Sequence, residues 1–134
     1  MSEKNIELLR RANALGNEGN FEALIALYHP DVEFRDVAHA PDLPEAVRGR
    51  DAVLSVFEQW RSVLDDWRVE VLDYIDADPW VVCEATWTAV GAASGVTSEF
   101  RGADAYEVID GLIKRVVMGF ADVAAATKAI KQET

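Results

Sequence analysis

The chain is 134 residues long, enough for one domain with a substantial core, and half of it is apolar, which excludes an intrinsically disordered protein. Lys and Arg number 13 against 24 Asp and Glu, a formal net charge of -11 that opposes nucleic-acid backbones and anionic membrane surfaces. Cys83 is alone, so no disulfide can form within the chain, and without an apolar leader or a membrane-length run the expected setting is cytoplasmic.

The elements follow in chain order. Ser2 or Asn5 can cap a first helix, whose apolar stripe runs through Ile6, Leu9 and the 12–15 region, and Gly16 with the Asn17-Glu18-Gly19-Asn20 cluster ends it. Asn20 caps a short second helix, Phe21 to Tyr28, which Pro30 ends. A brief strand, Val32 to Asp36, sets Val32, Phe34 and Asp36 on one face. Residues 38–50 hold Pro41, Pro44 and Gly49 and read as loop. A third helix runs from Asp51 to Leu64, with Val53, Val56, Phe57 and Trp60 at helical spacing, and Asp65-Asp66 closes it. Three strands come next: Trp67 to Asp76, Trp80 to Val90, and a third carrying Glu99 to Val108. Asp110-Gly111 is tight-turn sequence, and Leu112 to Phe120 returns as a last strand. Asp122 can cap a final Ala-rich helix, Val123 to Ile130. Helices early and strands late predict an α+β domain spanning 1–134, with helices packed on one face of a strongly curved, mostly antiparallel sheet. Curvature of that kind leaves a concave pocket.

One residue breaks the pattern. Asp104 falls mid-strand on the face carrying Phe100, Tyr106 and Val108, where a carboxylate is costly unless paired or protonated. It is either a functional acid or a polar group satisfied by a neighbouring hydroxyl or indole N–H. Asp36 shares its strand face with Val32 and Phe34 and so points inward, although a strand-end Asp also bonds readily to local backbone. His39, three residues on, is a candidate base at neutral pH or a solvated loop residue. Phe34, Trp60, Trp87 and Tyr106 are core aromatics that can also line an apolar cavity. Two histidines and one Cys make no metal constellation, and phosphate-loop, nucleophile-elbow and dinucleotide motifs are missing from the sequence. No cofactor is expected.

Three segments, NEGNFEALIALYHPDVEFRD, RGRDAVLSVFEQW and YEVIDGLIKRVVMGFAD, resemble the NTF2-like superfamily, and within it the SnoaL-like group, over nearly the whole chain. The resemblance implies a cone: a bent mixed sheet around three N-terminal helices, with a short C-terminal helix. In ketosteroid isomerases a base Asp ends the first short strand, matched here by Asp36 in VEFRD. A protonated Asp lies on the strand before the last hairpin, matched by Asp104 in GADAY. Their helix-1 Tyr falls on Ala12, which argues against steroid isomerase chemistry. The Arg-x-Asp of limonene-type epoxide hydrolases falls near Glu84 and Thr86 and is missing. The resemblance therefore implies a cofactor-independent cyclase- or isomerase-like enzyme acting on an apolar or aromatic carbonyl compound. Asp36 would be the base, with Asp104 or His39 as acid. The alternative is a non-catalytic module for a hydrophobic ligand or peptide. The sheet face carrying Val82, Thr86, Ala103 and Ala105 reads as only moderately polar, and with the family's common assembly it predicts a homodimer through that face.

Overall fold

The computed structural model describes residues 2–37 and 46–133. Among these residues four helices, α1 (Ser2–Glu18), α2 (Phe21–Ile25), α3 (Arg50–Val63) and α4 (Val123–Glu133), combine with six strands: β1 (Tyr28–Asp36), β2 (Val47–Arg48), β3 (Leu64–Ala77), β4 (Trp80–Gly91), β5 (Thr97–Ile109) and β6 (Leu112–Phe120). The strands form one sheet in the order β2-β1-β6-β5-β4-β3, antiparallel except where β1 lies parallel to β6. This is the α+β cone that the sequence implied. Asp110 (φ 52) and Gly111 (φ 77) make the tight turn between β5 and β6, and the two positive φ values explain that residue pair.

Several boundaries moved, each for a local reason. Within the 16–20 stretch expected to end α1, the helix runs past Gly16 to Glu18, and Gly19, at φ 72, ends it. The extra turn places Asn17 where its side chain donates to the Val69 carbonyl and accepts from the Val69 N–H, both at 2.8 Å. That two-bond clamp ties α1 to β3. Asn5 does not cap; its amide donates to Asp78 at 3.3 Å. Asn20 caps α2 as expected, but α2 is only five residues long, and Tyr28 to Asp31 belong to β1. Short apolar segments carry little periodicity, and pairing with β6 decides this one. Asp65 and Asp66 lie inside β3, with Asp66 at φ 49 where the β3–β4 register shifts. The 38–50 stretch, read as loop, contains β2 and the start of α3.

The sheet carries a core on each face. On the concave side Val81, Cys83, Tyr106, Val116 and Met118 pack with Leu9 and Ala12 of α1, Phe21 and Leu24 of α2, and Val53 and Phe57 of α3. On the convex side α4 lays Ala126 and Ile130 over Trp80, Val82, Ala103, Ala105 and Val117. This corrects two expectations. The helices do not all pack on one face, and three of the four residues offered for a homodimer face lie under α4, with Val82, Ala103 and Ala105 each 1 % exposed or less, while Thr86 is half-buried beyond it. Apolar residues on the second face are there because α4 covers them, which pattern alone does not separate from self-association. Arg115 fastens that helix: it bonds both Glu107 oxygens and Glu133, each at 2.8 Å, and sits 4.9 Å from the Trp80 ring centroid. Among the described residues no helix is long and apolar enough to cross a membrane.

Candidate functional site

The open end of the cone holds a cavity of about 400 Å³. Asp36, at the end of β1, and Asp104, in the middle of β5, both line it. β6 runs between their strands and sets the separation. Asp36 stands in parallel register with Met118 of β6, and Asp104 stands across from Cys83 of β4.

Asp104 is 1 % exposed and held at both oxygens. The Trp87 indole N–H donates to Oδ2 at 2.7 Å, and the Gly119 backbone N–H donates to Oδ1 at 2.9 Å. The second donor exists because β6 is irregular here: the β5–β6 register shifts between Ala103 and Ala105, and Gly119 sits at φ 93. A side chain rarely adopts that φ, so glycine allows the local twist that turns an N–H away from the ladder and into the site. Burial pushes the Asp104 carboxyl up to about 6; the two N–H bonds restrain the rise, and the Asp36 carboxylate adds to it. The protein thus keeps a carboxyl that changes charge near neutral pH, within electrostatic reach of a second one.

Aromatic rings form the walls. Trp60 of α3, Trp67 of β3 and Trp87 of β4 line the cavity, with Trp67 stacked on Trp87 (5.9 Å, 20°) and perpendicular to Trp60 (5.3 Å, 90°). Phe57 behind them touches Phe21, Tyr28, Phe34, Trp60 and Trp67, so the wall is one edge of the main core. Phe100, 38 % exposed, lines the cavity from β5.

Of the residues singled out from sequence, Asp36, Asp104, Trp60 and Trp87 meet at this cavity. Phe34 and Tyr106 do not line it. They border a separate void of about 40 Å³ beside Ala12, with Trp67, Trp87 and Met118 common to the walls of both spaces. Strand alternation places Tyr106 on the concave face but cannot say how deep along the cone it lies. His39 lies outside the described residues. The sequence reading missed Trp67 and Gly119. A glycine inside the strand pattern Leu112 to Phe120 was the available signal for a bulge; Trp67 had only its position at a strand start. The Cys83 thiol, opposite Asp104, is pushed up by burial and by that carboxyl, so it is not poised as a thiolate. Among the described residues no group of three His, Cys, Asp or Glu side chains could hold a metal ion.

The chain matches the model of the SnoaL-like domain family over residues 9–116. No curated protein matches it in sequence. Solved structures share the fold at low identity. One is a hypothetical protein with a ketosteroid isomerase-like fold from Catenulispora acidiphila, in complex with trimethylamine (15 % identity, TM-score 0.76, covering 89 % of this chain and 88 % of that one). Another is TerC co-crystallised with polyporic acid (22 %, 0.76, 96 % and 98 %). A third is a Mycobacterium tuberculosis protein in complex with estradiol-17beta-hemisuccinate (19 %, 0.74, 85 % and 91 %). The family match spans most of the chain and agrees with the α+β cone of the structure: this protein belongs to the SnoaL-like domain family.

Proposed function

We propose that this protein is an acid–base enzyme that moves a proton within an apolar or aromatic carbonyl compound, in a cyclase- or isomerase-like reaction that invokes no cofactor, in the cytoplasm. The observation that carries the reading is the placement of Asp36 and Asp104 on one aromatic-walled cavity, with Asp104 pushed up to about 6. Asp36 serves as the base, taking a proton from the carbon beside the carbonyl. Asp104 in its protonated form donates a hydrogen bond to the oxygen on which charge develops. Its two N–H partners fix the carboxyl plane before the ligand arrives, so little reorganisation is left for the reaction itself. The complexes of similar folds with polyporic acid and with an estradiol ester support a small-molecule ligand.

The second reading is a binding module without catalysis. Two observations favour it: both Asp104 oxygens are occupied by protein donors, as in a structural carboxylate, and Ala12 leaves no hydroxyl on α1 where the related isomerases carry one. Turnover of a panel of enones and polyketide mimics by the parent and by Asp36→Asn separates the two. The enzyme reading expects turnover that falls as pH rises above about 6 and drops by roughly two to four orders of magnitude in the variant, with ligand still quenching tryptophan fluorescence. Quenching without turnover in the parent decides for the binding module.

A further inference from the structure

Two consecutive residues at the end of β1 face opposite ways, as strand neighbours do. Asp36 lines the cavity, while Arg35 turns to the convex side, where it donates to one Glu133 oxygen and lies 3.3 Å from Glu33. Glu133 is in the last turn of α4, and its other oxygen accepts from Arg115 of β6 at 2.8 Å. One carboxylate therefore joins β1 to β6 from behind the site. Arg115 is held in turn by both Glu107 oxygens of β5, each at 2.8 Å, so the bridge is fastened to the middle of the sheet. Arg35, Arg115 and Glu133 are 22, 23 and 27 % exposed, so water screens this bridge less than one on the open surface.

The end of β1 needs such a hold. β2 pairs with β1 only at Glu33 and Phe34, so among the described residues Arg35 and Asp36 have a strand neighbour on one side, β6. That pairing is parallel, and its register shifts between Tyr28 and Glu33. Asp36 stands beside Met118, and the Val37 N–H donates to the Met118 carbonyl at 2.9 Å. Asp104 meets the same stretch of β6 from the other side, through the Gly119 N–H. The separation of the two carboxylates is thus set by β6 at Met118-Gly119 and by how far the end of β1 can move against it. The tie from Arg35 through Glu133 to Arg115 limits that movement without entering the cavity.

We propose that Glu133 is a positioning residue: by bridging Arg35 and Arg115 it holds the end of β1 against β6 and keeps Asp36 at its working distance from Asp104. This rests on the reading above that the two carboxylates act as a pair, and it adds what keeps them paired. Glu133 touches no ligand; it acts through Arg35 on the strand that carries Asp36.

The test is a double-variant cycle read by NMR titration of the Asp104 carboxyl carbon. Asp36→Asn lowers the Asp104 midpoint by an amount that reports how near the two charges stand. That drop is measured in the parent and again in Glu133→Gln. An amide keeps one acceptor oxygen and turns an NH2 group toward the second arginine, so one arm of the bridge is lost. The charge removed at position 133 acts on Asp104 with and without Asp36 and cancels in the comparison. With the bridge opened the end of β1 gains room to move, and the drop is expected to shrink by about half. Ile130→Val is the control: it loosens the packing of the same helix without touching the bridge, and should lower the melting temperature while leaving the drop unchanged. A drop in Glu133→Gln as large as the parent's, or larger, overturns the proposal and leaves Glu133 a fastener of α4 alone. A drop that shrinks as much in Ile130→Val also overturns it, because the packing of the helix and not the bridge would then set the geometry. If Asp36→Asn does not move the midpoint in the parent, the proposal falls together with the reading of the paired carboxylates beneath it.

Discussion

At the residue scale the behaviour of Asp104 follows from two opposing effects. Burial favours the neutral form, and the N–H bonds from Trp87 and Gly119 favour the carboxylate; burial wins, raising the pKa from 3.8 to about 6. The sign of the pH dependence follows. Below the unfolded value both states are neutral, and the protein keeps its full stability. As pH rises toward about 6 the unfolded state ionises first, and stability falls; above it the loss is complete at about 3 kcal/mol. Asp104→Asn removes this titration. By ionisation alone the variant would match or exceed the parent at pH 7. The geometry adds an opposing cost, because two N–H donors aim at two different oxygens and an amide offers only one. One donor then faces an NH2 group, at about 1–3 kcal/mol. The variant should therefore be less stable than the parent at pH 4, with the deficit shrinking toward zero or reversing by pH 7. Urea unfolding at the two pH values measures it. A deficit that grows toward pH 7 would mean the fold depresses the Asp104 pKa, as in a structural ion pair.

At the scale of the element, what could be read from sequence was what depends on neighbours in the chain. The alternation of 99–108, the Asp110-Gly111 turn, the Asn20 cap and the Asp122 cap, which accepts from Ala125 N–H at 2.8 Å, are all local, and all were legible. The position of Asp104 on the inner face was legible for the same reason. An indole N–H partner was legible in kind, but not that it comes from Trp87, and the Gly119 N–H was not legible at all, because both reach Asp104 only through the register of three strands and one bulge. Gly102 shows how tight that register is. A Cβ added there would lie 2.2 Å from the Phe120 carbonyl oxygen and 2.8 Å from the Phe100 ring. The backbone oxygen cannot swing aside as a side-chain tip would, so Gly102→Ala must displace β6 beside the bulge. We predict a loss of about 1–3 kcal/mol, or more if β6 cannot shift. The Asp104 pKa should also rise as the Gly119 bond weakens. A melting temperature and an Asp104 titration both equal to the parent's would contradict the close packing described here.

For the molecule as a whole, the sheet separates two tasks. Its concave face supplies the cavity, and on its convex face α4 covers Trp80, Val82, Ala103, Ala105 and Val117 through Ala126, Ile130 and the Arg115–Glu133 pair. The sequence showed apolar residues on that outer face but not what covers them, since a helix from the same chain and a second subunit leave the same pattern. Ala126 is 0 % exposed. Ala126→Glu forces a carboxylate into that layer or lifts α4 away, and it should cost about 3–5 kcal/mol. Val82, Ala103 and Ala105 would then be exposed, and sedimentation should show more self-association than in the parent. A variant with unchanged stability and sedimentation would mean that α4 does not cover these residues.

The central claim is that the fold brings Asp36 and Asp104 to one cavity and couples their charges there. Following the Asp104 carboxyl carbon by NMR across pH, in the parent and in Asp36→Asn, tests it most directly. A midpoint near 6 is expected in the parent and a lower one in the variant, because the Asp36 carboxylate is one of the causes that raise it. An Asp104 midpoint near the ordinary 3.8 in the parent, or one that does not move when Asp36 loses its charge, would contradict it.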